Sequence, residues 1–205
     1  MTHTELKGIY HELAFWQQFV KTDRFLKGWV KKVQTPELHQ EVAEFVKSVD
    51  HDNVLDVGSG VVSILNGLVE VTAVDPLGDL YRLIFDYDRH RLNAPFPYPA
   101  EEIPFKDEYD IVHMSNALDH TQNPVDAYKK LLKAVKPGGY LIVQGFVDEA
   151  IHEKWQGFHQ WNLNIGDNCL IIRNLTHLTE IEDDPIICKS YSIGEKNWFI
   201  WIVKK

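Results

Sequence analysis

The chain has 205 residues, of which 44% are hydrophobic, 12% aromatic and 25% charged. That is enough apolar material for one sizeable core and too mixed a composition for a disordered, collagen-like or coiled-coil chain. The 30 acidic residues against 21 Lys and Arg give a formal charge of -9, which repels phosphate backbones and argues against nucleic acid as a partner. Cys169 and Cys188 are too few for a disulfide framework and wrongly spaced for a zinc knuckle. Met1 to Tyr10 lacks the apolar core of a signal peptide, and no apolar run approaches the ~20 residues of a membrane span. The expectation is a soluble, cytoplasmic protein, monomer or homodimer, folded as one domain over residues 1–205 with no membrane partner.

In chain order, Leu6, Ile9, Tyr10, Leu13, Trp16 and Phe19 fall at three- and four-residue spacings, which predicts an amphipathic helix over residues 5–20. Thr35 and Pro36 predict the start of a second helix that buries Val42, Phe45 and Val46. From Asp52 the pattern becomes alternating strand and helix: strands at 53–57, 70–74 and 110–114, a helix over 124–135, and a strand at 140–143 after the Lys136-Pro137-Gly138-Gly139 stop. Residues 1–50 thus read as cap helices and 51–205 as an α/β core. Beyond a polar, aromatic-rich segment at 148–164 come β-prone runs at 169–172, 186–193 and 198–203. Gly194-Glu195-Lys196-Asn197 between the last two predicts a terminal antiparallel hairpin.

Val54-Leu55-Asp56-Val57-Gly58-Ser59-Gly60 sets an acid in an apolar strand and two glycines in the turn that follows, where backbone amides can approach a ligand without a Cβ in the way. Ser63 stands where the third glycine of a dinucleotide fingerprint would be, so a nucleoside lacking phosphates fits better than NAD(P). Asp75, at the end of the next strand, lies 19 residues after Asp56, close to the separation expected of a carboxylate that accepts ribose hydroxyls.

With VLDVGSG (54–60), AVDP (73–76), AEEIPF (100–105), YDIVHMSNALDH (109–120) and KPGGYLIV (136–143) in this order, the chain resembles the class I S-adenosylmethionine-dependent methyltransferases of the small-molecule branch called type 11. It departs from them at Val62, where that family often has a further glycine, and at Pro99, where it often has an acid. The resemblance implies a Rossmann-like α/β fold: a mostly parallel seven-stranded sheet, a terminal antiparallel hairpin, and N-terminal helices capping the cofactor site. It implies S-adenosyl-L-methionine as cofactor. Gly58, Ser59 and Gly60 would contact its methionyl part, Asp75 with Pro76 and Leu77 the ribose and adenine, Glu101 the adenine edge, and Asn116 and Ala117 further atoms. Asp56 is a candidate for the ammonium group.

Methyl transfer from a sulfonium is an in-line displacement, so positioning dominates and a base is needed only where the acceptor carries a proton. His120 is the candidate base, with Asp119 to orient it, at the carboxyl edge of the sheet where ligands of open α/β folds bind. His159, Gln160 and Asn162, set among aromatic residues, are candidate substrate contacts, and His159 is a second candidate for proton transfer. Trp16 and Gln17 on the first helix, with Lys21 or Arg24, could meet an anionic acceptor. No metal is expected, because no ligand spacing in the sequence supports one.

Phe15-Trp16, AVDPL, NALDH and HQWN together also resemble a subgroup associated with surface-glycan and other small-molecule modification. The expected function is therefore methylation of a small polar acceptor: an oxygen of a sugar, a phosphorylated metabolite or a surface-polysaccharide precursor. The alternatives are a cofactor-binding regulatory protein without chemistry and, ranked lower, a methyltransferase acting on protein or RNA.

Overall fold

A computed structural model describes residues 3–21, 28–29 and 39–205. The predicted Thr35-Pro36 helix start and Arg24 lie outside these residues. Helix α1 (His3–Phe19) turns Ile9, Leu13 and the buried Trp16 inward, and α2 (Gln40–Ser48) buries Val42, Ala43 and Val46. Strand β1 (Val54–Val57) is buried at all four positions, as expected of a central strand covered on both faces. It pairs in parallel with β2 (Thr72–Val74) and with β3 (Tyr109–Ser115). Two short helices, α3 (Gly78–Tyr81) and α4 (Tyr87–His90), lie between β2 and β3.

Helix α5 (Pro124–Ala134) begins as its sequence dictates: Pro124 occupies the first turn, and the Asn123 side chain accepts the Asp126 amide at 3.2 Å. It leads directly into β4 (Val135–Phe146), parallel to β3. The KPGG stop does not precede the strand but lies inside it. The residues facing Tyr109 and Ile111 are Val135 and Tyr140, so the extra residues bulge there, and the Asp110 carbonyl sits where a Cβ on Gly139 would be.

The sheet has six strands among the described residues, in the order β2-β1-β3-β4-β9-β8, rather than the seven expected. A crossover to a further parallel strand usually carries a full helix, whereas the segment after β4 holds only the single-turn helix α6 (Glu149–His152). The chain then forms a separate antiparallel sheet of β5 (Asn162–Ile165), β6 (Leu170–Arg173) and β7 (Leu178–Ile181). The terminal hairpin is as expected: β8 (Pro185–Ile193) turns at Gly194 (φ 59°) into β9 (Lys196–Lys204), which pairs antiparallel with β4.

Period-two alternation sorts the core onto the two faces of the main sheet. Leu55, Val57, Val112, Met114, Leu141, Val143, Phe199 and Trp201 pack with α5 and the small sheet. Val54, Ile111, Ile142, Ile200 and Ile202 pack with α2. No helix among the described residues is long and apolar enough to cross a membrane.

Candidate active site

After β1 the chain bends through Gly58 (φ 69°) and Gly60 (φ 64°), a backbone region that L side chains rarely adopt. The amides of Gly58 and Ser59 donate to the Val74 carbonyl at 2.8 and 3.2 Å, tying the bend to the tip of β2. Asp75 reaches back from that tip. Its Oδ2 accepts the Gly60 amide and its Oδ1 the Leu77 amide, both at 2.9 Å. A Cβ on Gly58 would overlap that of Ala117, and one on Gly60 would overlap the Trp16 indole. Helix α1 thus closes directly on the bend.

Below the bend lies a cavity of about 910 Å³, within the range of small-molecule sites. Val57, Leu77, Ala100 and Met114 form its apolar wall, and Glu12, Asp75, Glu101, His120, Asn123 and Gln160 are among its polar lining. Burial pushes the Asp75 carboxyl up to about 6, the amide of Leu77 pulls it back, and the charge of Glu12 adds to the rise. Each Asp75 oxygen holds one amide and so keeps a lone pair for a further donor. Tyr81 lines the same cavity, and its buried hydroxyl is set against the Asp75 carboxyl, where it helps to offset the rise. An apolar slot beside a carboxylate with spare acceptor capacity is what an adenosyl group requires, so the residues fit the cofactor that the resemblance implies.

The three candidate catalytic side chains come from two segments and meet. His159 Nδ1 lies 2.7 Å from Asp119 Oδ2 and 3.1 Å from His120 Nε2, and His120 Nε2 lies 3.6 Å from Asp119 Oδ2. The Gln160 amide donates to the Asp119 carbonyl at 3.2 Å, which fastens the second segment to the first. Burial opposes ionisation of Asp119, but the charge of His120 and the hydrogen bond from His159 hold its carboxyl below the usual range. For His159, burial favours the neutral ring. The hydrogen bond to Asp119 outweighs this and, with the charges of Asp119, Glu149 and Glu153, raises its pKa. Of the three, His120 lines the cavity.

Other candidates are placed as follows. Gly58, Asp75, Pro76, Leu77, Glu101 and Ala117 border the cavity together with Gln160. Glu101 also accepts the Asn123 amide at 3.0 Å. Asp56 is buried, with Oδ1 2.7 Å from His113 Nδ1, and is not among the lining residues. His113 Nε2 is 2.8 Å from Gln144, which also meets His39 at 3.2 Å and accepts from Trp198 at 3.2 Å, so Asp56 heads a buried polar network within the fold.

Ser59 bonds the Gly60 carbonyl, Asn116 accepts the Phe146 amide, and Asn162 accepts the Ile151 amide. These three bonds shape backbone rather than the cavity. Lys21 and Gln17 are exposed, outside the lining. The residues the sequence did not single out are Glu12, Tyr81 and the buried Glu149. Glu12 sits four residues before Trp16 and accepts its indole N–H at 2.7 Å, an i, i+4 pairing that could have flagged it.

A doubly covered, mostly parallel sheet, a glycine bend after β1 and an acid at the tip of β2 define a class I S-adenosylmethionine-dependent methyltransferase. The chain belongs to the methyltransferase domain family, which it matches over residues 29–181. It is 28% identical over 167 residues to the tRNA U34 carboxymethyltransferase of Pseudoalteromonas atlantica, a match covering 77% of this chain and 49% of that protein. The chain therefore spans about half the length of that relative.

Its fold resembles that of the N-methyltransferase NodS from Bradyrhizobium japonicum, solved with S-adenosyl-L-homocysteine, with a TM-score of 0.58 at 9% identity over 100% of this chain and 99% of that one. It also resembles the PH0226 protein from Pyrococcus horikoshii, with a TM-score of 0.56 at 14% identity over 91% and 94%.

Proposed function

We propose that this methyltransferase acts on an oxygen of a small polar acceptor, with Asp119, His120 and His159 as the group that draws off the acceptor's proton. The observation that carries the reading is the meeting of these three side chains beside the cavity that Asp75 borders. When bound, S-adenosylmethionine supplies an electrophilic methyl carbon on a cationic sulfur. Asp75 holds the adenosyl part and the Gly58–Gly60 bend the methionyl part, Trp16 keeps water from the bend, and His120 takes the hydroxyl proton. Asp119 and His159 behind it steady the charge it gains.

The lining carries the carboxyl groups of Glu12, Asp75, Glu101 and Glu102 and, among the described residues, neither Lys nor Arg. This favours an uncharged acceptor, such as a sugar or a surface-polysaccharide precursor, over a phosphorylated one. The relative that modifies tRNA is matched over half its own length, and a net charge of -9 disfavours an RNA acceptor.

Incubation with methyl-labelled S-adenosylmethionine and a panel of neutral sugars, sugar phosphates, amines and tRNA tests the proposal. Label entering a neutral sugar, and falling by about 100-fold or more in His120→Ala, is expected. Transfer to tRNA alone, or transfer indifferent to His120, overturns it.

A further inference from the structure

We infer that Asp119, His120 and His159 form a binding site for one divalent transition-metal ion of the zinc class. The first observation is geometric. Asp119 Oδ2, His120 Nε2 and His159 Nδ1 stand at the corners of a triangle with edges of 2.7, 3.1 and 3.6 Å. Atoms each ~2.0–2.2 Å from a common ion lie roughly 2.8–3.6 Å apart in cis-octahedral or tetrahedral arrangement. The edges of 3.1 and 3.6 Å fall in that range, and the Asp119–His159 edge of 2.7 Å falls just short of it. Without an ion the arrangement is poorly served: the single proton that His159 Nδ1 can carry has two neighbours, and donating it to Asp119 leaves His120 Nε2 facing the same atom. An ion meets all three lone pairs at once.

The second observation is the charge around the triangle. Asp119 is buried at 3% exposure. Glu149, exposed by only 6%, interacts electrostatically with both Asp119 and His159 and keeps one carboxyl oxygen without a hydrogen-bond partner. Lys196 stands 3.7 Å from Glu149 and 3.1 Å from Glu153. A second buried carboxyl with unspent acceptor capacity lowers the cost of placing a cation there.

The donor set selects the ion. Two imidazoles and one carboxylate suit zinc, cobalt and iron, whereas magnesium and calcium prefer all-oxygen surroundings. Because His120 lines the cavity, an ion at this point is within reach of the acceptor. There it would polarise a coordinated hydroxyl, whose proton then leaves to solvent. This role rests on the reading of the cluster as the acceptor-activating group and changes its mode, because with His120 Nε2 coordinated the ion, not the imidazole, activates the hydroxyl. Binding itself is measured without any acceptor, so the two ideas fail separately.

The experiment is titration of chelator-treated chain with Co²⁺ and Zn²⁺, read by calorimetry and by the visible absorption of bound Co²⁺, with Mg²⁺ as comparison. One Co²⁺ per chain is expected, with an absorption band displaced by one equivalent of Zn²⁺ and no competition from Mg²⁺. Affinity falls by more than about 100-fold in His159→Ala and in Asp119→Asn, beyond the 10–100-fold of a change outside the ligand set. Thermal melting and S-adenosylmethionine binding show whether each variant is folded. Absence of saturable binding to the wild-type chain overturns the inference whether or not the protein transfers methyl groups. So does binding that folded His159→Ala and His120→Ala both retain.

Discussion

The indole of Trp16 fills the space that a side chain on Gly60 would need, so one contact joins the N-terminal helix to the cofactor bend. Gly60→Ala therefore meets two costs, overlap with the ring and a left-handed φ of 64°, together about 2–4 kcal/mol. In a Trp16→Ala background the overlap disappears and the backbone cost remains. Urea unfolding of the four proteins in this cycle is expected to give a coupling of about 1–2 kcal/mol.

Beneath the bend, His113 is fully buried between Asp56 and Gln144. In the β1–β3 register Asp56 and His113 are direct partners, which is why ring and carboxylate meet. His113→Ala strips a buried carboxylate of its nearest partner and is expected to cost about 3 kcal/mol in chemical denaturation. The same substitution at the exposed His152 is expected to lie within about 0.5 kcal/mol of wild type.

The Asp119–His159 pair gives stability a pH signature. The folded His159 titrates above its ordinary 6.5, so its contribution is complete below that pH and is lost as pH rises through the raised value. Asp119 titrates below its ordinary 3.8, so its contribution is complete above 3.8 and is lost as pH falls through the depressed value. The difference in melting temperature between wild type and His159→Gln is thus expected to be greatest between about pH 4 and 6.5 and to shrink under alkaline conditions.

Asp75 works in the opposite sense. Its folded value of about 6 lies above the ordinary 3.8, so ionising it costs stability progressively as pH rises from 3.8 to 6. The ribose hydroxyls need the ionised form. Calorimetry across pH 5–8 is expected to show S-adenosylmethionine affinity constant above pH 7 and falling below pH 6, by up to ~10-fold per pH unit.

Much of this was legible in the chain because short-range chemistry wrote it there. The apolar run around Leu55, the helical periodicity over 124–135 and the Gly194 turn each fix an element locally, and Asp75 follows from its separation from Asp56. The count of strands was less legible, since residues 162–181 carry strand-forming patterns that say nothing about which sheet receives them. Convergence of Asp119 with His159 was invisible for the same reason: 40 residues separate them, and tertiary packing alone brings them to 2.7 Å. Asp56 shows the converse, a motif residue whose carboxylate the fold spends on His113.

Titrating S-adenosylmethionine into wild type and Asp75→Ala at pH 7.5, with thermal melting to confirm that both are folded, tests the cofactor site most directly. Loss of the hydrogen bonds to a charged acceptor predicts affinity weakened at least about 10-fold in the variant. Equal affinity in a folded Asp75→Ala protein would contradict the account.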